Sequence, residues 1–298
     1  MKIMRVRRSL LWVNGYDAEK LKEGIESDVD SIVLDLEDGV TVPNKPEARK
    51  VTYDALKNWD FKGKERVVRV NAPDTPFFAD DLKEVLPALP DAVRLPKCET
   101  VEYVLNMDSI LGKLEEENRL PRDTIELILM IETPLGVMNS YDMARCCKRV
   151  TAMGIGMEDL TASMQVTRQY ELRSLDLLYA RQKVVLSCKA AGVQAIDSGV
   201  MFSGDLDFYM QDCLNDKRDG FEGRSVGDLN HIPLVNKAFS PTEQEIDWAN
   251  RVIAAYNKAI ADQISDVYVD GKYVDPPVVS KAELILDRLE RINDRGKK

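Results

Sequence analysis

The chain has 298 residues, a formal net charge of −10, and a composition of 31% charged and 44% hydrophobic residues. This composition is typical of a folded globular protein, and the length suits one barrel domain of about 250 residues with a short appendage. The acidic balance argues against a nucleic-acid-binding protein, because such proteins usually present a basic face.

The amino terminus is basic, but no apolar stretch of secretory length follows it. The longest apolar run, Leu127–Leu135, is interrupted by Glu132. It is too short to cross a membrane, which takes about 20 residues. We therefore expect a cytoplasmic or organelle-matrix protein with no membrane partner.

The cysteine and histidine counts exclude several kinds of site. Five cysteines are present without a Cys-x-x-Cys pair, and His231 is the single histidine. The odd number argues against a disulfide framework, and the missing Cys-x-x-Cys spacing argues against a zinc site. One histidine argues against His-rich metal sites and against a Ser-His-Asp triad.

Apolar runs rich in β-branched residues alternate with amphipathic stretches along most of the chain. The predicted strands are Ser9–Val13, Ser31–Leu36, Arg66–Val70, Ala92–Leu95, Leu127–Ile131, Ala152–Ile155, Val193–Ile196 and Gly223–Val226. Predicted helices between them include Asp17–Ser27, Lys45–Asn58, Val101–Asn118, Ser140–Lys148 and Leu175–Ala191. Eight strand–helix repeats predict a parallel (β/α)₈ TIM barrel. The alternative is a doubly wound open sheet, but no GxGxxG follows the first strand.

The pattern changes after Pro233. Ser240 reads as a helix cap with Pro241 at the first helical position, and this helix runs to about Ala261. A predicted loop, Asp266–Pro277, and a last helix, Ser280–Asn293, follow. We expect a barrel over residues 1–235 and a helical lid or oligomerisation segment over residues 236–298, packed on the barrel or on a neighbouring subunit.

Charged residues stand at the ends of the predicted strands, where barrel enzymes place their active sites. They are Asp35, Glu37 and Asp38 for the second strand, Arg69, Lys97 and Glu132 for the next three, and Glu158, Asp159 and Asp197 for the sixth and seventh. We expect them to converge on one concave site. Gly154 and Gly156 would let the backbone approach a ligand there.

Glu132 is the best metal-ligand candidate from the residues alone. It follows the apolar run Leu127–Ile131, so its carboxylate has to be paired, protonated or bound to metal. Two or three carboxylates without histidine or cysteine favour Mg²⁺ first and Mn²⁺ second. Arg69 would then serve an anionic or enolate oxygen.

Each of these residues also has a structural interpretation. Asp35 and Arg69 could be members of an ion pair inside the barrel, and Glu37 faces the same way as Asp35. Asp159 could cap the helix that follows it. Lys97 could be a plain surface charge at the end of its strand.

At these residues the sequence resembles the citrate lyase beta-subunit family, which includes malyl-CoA and citramalyl-CoA lyases. The resemblance covers nearly the whole chain. The matching segments are RRSLLWVNG at 7–15, DSIVLDLEDGVTVPNKPEAR at 30–49, RVNAPDTPFFADDL at 69–82, RLPK at 94–97, MIETPLGVMN at 130–139, GIGMEDLTASM at 154–164, LDLLYARQKVV at 175–185, AGVQAID at 191–197, GFEGRSV at 220–226, VNKAFSPTEQEI at 235–246 and DGKYVDPPVV at 270–279.

The resemblance implies a set of roles for individual residues. It implies Mg²⁺ held by Glu132 and Asp159, and Arg69 in contact with the keto acid and its reacting oxygen. Glu37 and Asp38 would lie around metal-bound water. Asp275 would reach a neighbouring subunit's site as the proton-transfer acid or base. We count Glu37 as catalytic with Arg69 and Asp275. The expected substrate contacts are Arg69, Glu132, Gly156 and Lys97.

Two segments depart from the family pattern. Asn14 stands where the family usually has proline in a Val-Pro-Gly motif. Gly227–His231 replaces an Ile-(His or Asn)-Pro-x-Gln run, which puts His231 at the glutamine position. We expect His231 at the rim of the site without a catalytic role. These departures bear on the substrate or carrier rather than on the metal chemistry.

The implied reaction is a retro-Claisen cleavage of a citryl thioester, on a carrier protein or on CoA, to oxaloacetate and an acetyl thioester. The alternatives are a citramalyl-CoA or malyl-CoA lyase, a malyl-CoA thioesterase, and a non-catalytic assembly subunit. The resemblance also implies a homotrimer or hexamer, alone or within a citrate lyase complex.

Overall fold

The structure is a computed structural model that describes residues 5–170, 175–198 and 204–295. The first four residues, part of the predicted basic amino terminus, lie outside the described residues. The chain divides into two compact units, Arg7–Asn236 and the residues from Lys237 onward with the first few residues. None of the helices in the described ranges is long and apolar enough to cross a membrane.

The first unit is a closed barrel of parallel strands paired in sequence order, with β1 closing on β8. This confirms the predicted TIM barrel. Its strands are β1 Ser9–Asn14, β2 Ser31–Asp35, β3 Glu65–Arg69, β4 Ala92–Leu95, β5 Glu126–Ile131, β6 Val150–Ile155, β7 Gln194–Asp197 and β8 Gly223–Val226. The helices up to Phe239 are α1 Ala18–Glu26, α2 Lys45–Asn58, α3 Phe78–Glu84, α4 Val101–Glu117, α5 Pro134–Arg145, α6 Met157–Ser163, α7 Leu178–Ala191, α8 Leu206–Asp219 and α9 Ile232–Phe239.

The barrel interior is filled in layers, because side chains alternate between the two faces of each strand. A middle layer is apolar: Leu10, Val33, Val67, Ala92, Ile128, Ala152 and Ile196. Two residues further along β2, β3 and β4 come Asp35, Arg69 and Arg94. The same alternation that builds the apolar layer therefore turns these charged side chains into the carboxyl end of the barrel.

The second unit contains α10 Glu243–Asp262, α11 Pro276–Asn293 and a short antiparallel pair, β9 Tyr268–Val269 and β10 Lys272–Tyr273. Its core is small and consists of alanine and valine: Ala249, Val252, Ala259, Val267, Val269, Val274, Val279 and Ala282. Its role as a lid or oligomerisation segment stays a prediction.

Three helix starts differ from the sequence prediction, and each difference comes from capping. Helix α5 begins at Pro134, not Ser140, because the Thr133 hydroxyl accepts a hydrogen bond from Gly136 N (3.1 Å). Helix α10 is capped by Thr242 rather than Ser240, in a reciprocal pair with Glu245. Helix α11 begins at Pro276 within the predicted loop, where a missing N–H costs nothing.

Candidate active site

Asp35 and Arg69 form a side-on ion pair inside the barrel. They are opposite one another in the register of β2 and β3. Arg69 Nε donates to Asp35 Oδ1 (2.6 Å) and Nη2 donates to Oδ2 (2.8 Å). Burial opposes ionisation of Asp35, but the Arg69 charge and two backbone N–H donors overcome it and hold its pKa below the usual value. The structural interpretation of Asp35 therefore agrees with its observed contacts.

Glu37 connects Arg69 to Lys97. Its Oε2 lies 2.5 Å from Arg69 Nη1, and its Oε1 lies 3.1 Å from Lys97 Nζ. Burial raises the pKa of Glu37 despite these two cations. The Lys97 ammonium also lies 3.7 Å from Asp38 and is partly exposed. The residues predicted after the second, third and fourth strands thus lie together.

Glu132 is almost completely buried, at 2% exposure. Its Oε2 accepts a hydrogen bond from the Lys97 backbone N (2.7 Å), and Lys97 adopts a left-handed φ of 49°. Its Oε1 has no hydrogen-bond partner among the described residues. Burial raises the pKa of Glu132 to about 7, and the charges of Glu37 and Asp159 add to this while Arg69 opposes it.

Gly156 is required by the close approach of Glu132. A Cβ at this position would lie 2.5 Å from Glu132 Cγ and 2.6 Å from Oε1. Any side chain there would push the carboxylate away from its place at the end of β5. The sequence reading assigned Gly156 to backbone contact with a ligand; the structure shows that it also makes room for Glu132.

The residues present fit a divalent cation. Asp159 is half-buried in the first turn of α6, near enough to Glu132 to raise its pKa. Gly156, not Asp159, is the N-cap of α6, so the capping interpretation of Asp159 is wrong. No group of three or more His, Cys, Asp or Glu suited to a metal occurs in the described ranges. Mg²⁺ commonly needs only one or two protein carboxylates, and a cation would offset the repulsion between these acids.

Three residues expected in or around this site lie elsewhere. Asp197 lies 3.8 Å from Arg181 of α7, because Gln194 and Ile196 occupy the inward positions of β7. Glu158 is exposed and pairs with Arg168. His231 is buried and stacked on Tyr209 at 3.9 Å between ring centroids, so its placement at an open rim is wrong.

Asp275 lies in the second unit, as the N-cap of α11. Its Oδ1 accepts a hydrogen bond from Val278 N (3.1 Å). This contact explains why the helix begins directly after it. The role of Asp275 in proton transfer stays a prediction.

Trp12 and Arg94 belong to the site and were missed as functional candidates. Arg94 lies beside Arg69 in the strand register, and both guanidinium groups lie over the Trp12 ring, at 4.9 Å and 4.0 Å from its centroid. Arg94 stands between Val93 and Leu95 as Arg69 stands between Val68 and Val70. That repeated pattern is the signal that could have identified it.

Comparisons with known proteins show similarity over most of the chain. The profile of the HpcH/HpaI aldolase/citrate lyase family matches residues 8–228. The chain is 34% identical to the citrate lyase subunit beta of Leuconostoc mesenteroides subsp. cremoris, over 95% of this chain and 93% of that protein. It is 32% identical to the mitochondrial citramalyl-CoA lyase of Homo sapiens, over 93% and 84%. The crystal structure of CitE from Mycobacterium tuberculosis with magnesium, acetoacetate and coenzyme A superposes with a TM-score of 0.77 at 27% identity, covering 95% of this chain and 97% of that one.

Proposed function

The chain is a lyase that belongs to the HpcH/HpaI aldolase/citrate lyase family, and on that premise we propose that it cleaves a hydroxyacyl thioester with Mg²⁺ held by Glu132 and Asp159. The first-choice substrate is citryl on CoA or on a carrier protein, which yields oxaloacetate and an acetyl thioester. The observation that carries the proposal is the buried Glu132 carboxylate beside Asp159 and Arg69, with its raised pKa and with no partner for Oε1 in the part of the chain that the structure describes. Mn²⁺ is the second choice of metal.

The cleavage breaks one carbon–carbon bond and moves one proton. A base takes the hydroxyl proton, the hydroxyl carbon becomes the keto carbon of oxaloacetate, and the bond electrons pass to the acetyl thioester as an enolate. That enolate is then protonated on carbon. Bound Mg²⁺ supplies Lewis-acid stabilisation of substrate oxygens.

Arg69 is suited to stabilise the oxygen on which negative charge develops. Its two hydrogen bonds to Asp35 use one N–H group of Nε and one of Nη2, and its Nη1 is held by the charge of Glu37, so a guanidinium with five N–H groups keeps donors for a substrate oxygen. The two carboxylates hold the guanidinium in place before substrate arrives. Such preorganised donors contribute strongly to catalysis.

We assign the proton transfer to Asp275 of a neighbouring subunit in a homotrimer or hexamer, which follows from the family resemblance. Glu37 is the alternative acid or base inside the barrel, since its pKa is raised by burial. Mixing Arg69→Lys subunits with Asp275→Ala subunits separates the two. If Asp275 acts across subunits, each variant alone is inactive and the mixture regains activity after subunit exchange, whereas Glu37 as the acid or base leaves Asp275→Ala active by itself.

The proposed function is tested by assaying the purified protein with citryl-CoA and Mg²⁺, and again with EDTA. Arg69→Lys keeps the charge but loses the planar fork, so we expect kcat to fall by roughly 10²–10³. Arg66→Lys is the matched control on the same strand, because Arg66 pairs with Asp91 in a half-exposed position. EDTA-resistant turnover, or a near-normal Arg69→Lys enzyme, contradicts the proposal.

The same assay with citramalyl-CoA and malyl-CoA tests the second candidate function. The human citramalyl-CoA lyase supports it, because it is nearly as similar to this chain as the citrate lyase subunits are. Release of free CoA would indicate a thioesterase instead. Relatives named as subunits support work within a larger lyase complex, and inactivity with all three thioesters would favour an assembly subunit.

A further inference from the structure

Arg94 is a fully buried arginine, and no carboxylate of the described residues forms an ion pair with it. Within the described ranges its one side-chain hydrogen bond runs from Nη2 to Ser225 Oγ (3.2 Å), across the barrel on β8. Its Nε and Nη1 are buried and have no hydrogen-bond partner in residues 5–170, 175–198 and 204–295, and neither does Trp12 Nε1. Buried polar groups in proteins are almost always hydrogen-bonded, so these donors call for a partner.

The position of these donors connects them to the site. Arg94 lies opposite Arg69 in the register of β3 and β4. The charges of Glu132, Asp35 and Glu37 each act to raise the pKa of Arg94. The backbone leaves room for the guanidinium, because a Cβ at Gly154 would lie 3.3 Å from Arg94 Nη2 and 2.7 Å from Met130 Sδ. Arg94 therefore lies in the same layer of the barrel as Arg69, and its N–H groups are additional donors in that layer.

We propose that Arg94 and Trp12 Nε1 bind the carboxylate that distinguishes a citryl group from a citramalyl or malyl group. This inference rests on the proposed function. Cleavage of the three thioesters releases keto acids that carry CH₂–COO⁻, CH₃ or H beside the keto carbon. A guanidinium offers a carboxylate a planar fork through Nε and Nη2 or through Nη1 and Nη2. In Arg94 each of these forks includes an N–H group, on Nε or on Nη1, that has no hydrogen-bond partner among the described residues.

The arrangement selects against the smaller acids as well as for the larger one. With CH₃ or H in place of the carboxymethyl group, Arg94 stays a buried cation without its anion. A site built to hydrogen-bond a substrate group rejects analogues that lack the group, because its own polar atoms are then left unpaired. Arg94 thereby makes the tricarboxylic acyl group the preferred substrate.

Binding of two stable 2-hydroxy acids tests the subsite without turnover. Malate and lactate differ by one carboxylate and stand for oxaloacetate and pyruvate. With Mg²⁺ present, calorimetry of the full chain is expected to show malate bound at least ten times more tightly than lactate. Arg94→Met should weaken malate roughly 10–100-fold and leave lactate unchanged. Arg94→Lys, which keeps the charge without the fork, should lie between.

The outcomes separate this inference from the proposed function. Equal losses for both acids would assign Arg94 to the carboxylate that they share, and unchanged malate binding would give it no ligand; either result overturns the subsite. Unchanged lactate binding also shows that the variant is folded. If the wild-type chain cleaves no thioester but Arg94→Met abolishes the malate preference, the subsite stands and the lyase proposal fails. If it cleaves citryl-CoA and the preference survives in Arg94→Met, the subsite alone fails.

Discussion

Arg7 and Arg94 are both completely buried inside the barrel, yet their surroundings are opposite. Arg7 lies at the amino-terminal end, where Nε donates to Glu65 (2.9 Å) and Nη2 donates to Glu65 and Glu126 (2.6 and 2.5 Å). Its Nη1 donates to Thr151 and Gln194. Arg94 lies toward the carboxyl end, and its side chain donates only to Ser225 among the residues that the structure describes.

The two pKa shifts express the same difference. Burial lowers the pKa of both guanidinium groups, but Glu65 and Glu126 overcome this at Arg7 and raise its pKa above the usual value. The pKa of Arg94 falls to about 9, because burial and the neighbouring Arg69 outweigh the carboxylates of the site. The carboxylates around Arg7 therefore offset the cost of its burial, whereas Arg94 keeps buried N–H groups that the proposed subsite would use.

The largest effect on stability is expected at the amino-terminal end of the barrel, around Arg7. Glu65→Gln leaves the buried Arg7 with one carboxylate fewer, and breaking such a pair typically costs about 3–5 kcal/mol of the free energy of unfolding. Urea unfolding of the full chain measures it. Glu26→Gln is the control, because its pair with Lys62 is exposed and contributes below about 1 kcal/mol. Equal stabilities for the two variants would contradict a structural role for the Arg7 cluster.

An effect of pH on stability is expected at the carboxyl end of the barrel, from Glu132. The pKa of Glu132 is about 7 in the folded chain against an ordinary 4.5, so the folded state binds a proton more tightly than the unfolded state. Without metal, the free energy of unfolding should therefore fall as the pH rises from about 4.5 to about 7, by roughly 3 kcal/mol.

Unfolding in EDTA at pH 5 and pH 8 measures this loss, with Glu132→Gln as the reference that cannot ionise. Saturating Mg²⁺ should restore the stability at pH 8, because metal replaces the proton on the carboxylate. A wild-type chain whose pH dependence matches that of Glu132→Gln would show that Glu132 ionises without cost and would remove the basis for the metal assignment.

The smallest expected effect is at Gly156. Gly156→Ala places a methyl group 2.5 Å from Glu132 Cγ, so the carboxylate has to shift. Displaced support around a ligand typically weakens metal binding by about 10–100-fold. Isothermal titration with Mg²⁺ measures the change. Gly112→Ala in α4 is the control, because its methyl group meets the long, half-exposed Arg122 side chain. Unaltered affinity in Gly156→Ala would exclude Glu132 as a tight ligand.

The sequence predicted the barrel and most of the site because strand alternation is visible in it. Asp35, Arg69 and Glu132 follow apolar runs, and the structure brings them together. Arg94 and Asp197 look equivalent in the sequence, since each stands at the end of an apolar run. One faces the barrel interior and the other lies against α7, and only the strand register decides between these faces.

Capping and stacking were beyond sequence reasoning for similar reasons. The Thr242 cap competes with Ser240 two residues earlier, and both residue types suit that position. His231 follows a turn and reads as a rim residue, but its stacking on Tyr209 depends on how α8 packs. Contacts between elements distant in sequence leave no local pattern.

The stability of Arg7→Met and Arg94→Met, measured side by side by urea unfolding, tests the contrast between the two ends most directly. Methionine fills part of the space without the charge. The account predicts that Arg7→Met loses about 3–5 kcal/mol, because Glu65 and Glu126 lose the buried cation that they share, while Arg94→Met is as stable as the wild-type chain or more stable. A comparable loss in both variants would contradict it, since Arg94 would then hold the fold together and would not be an arginine kept unpaired for a substrate.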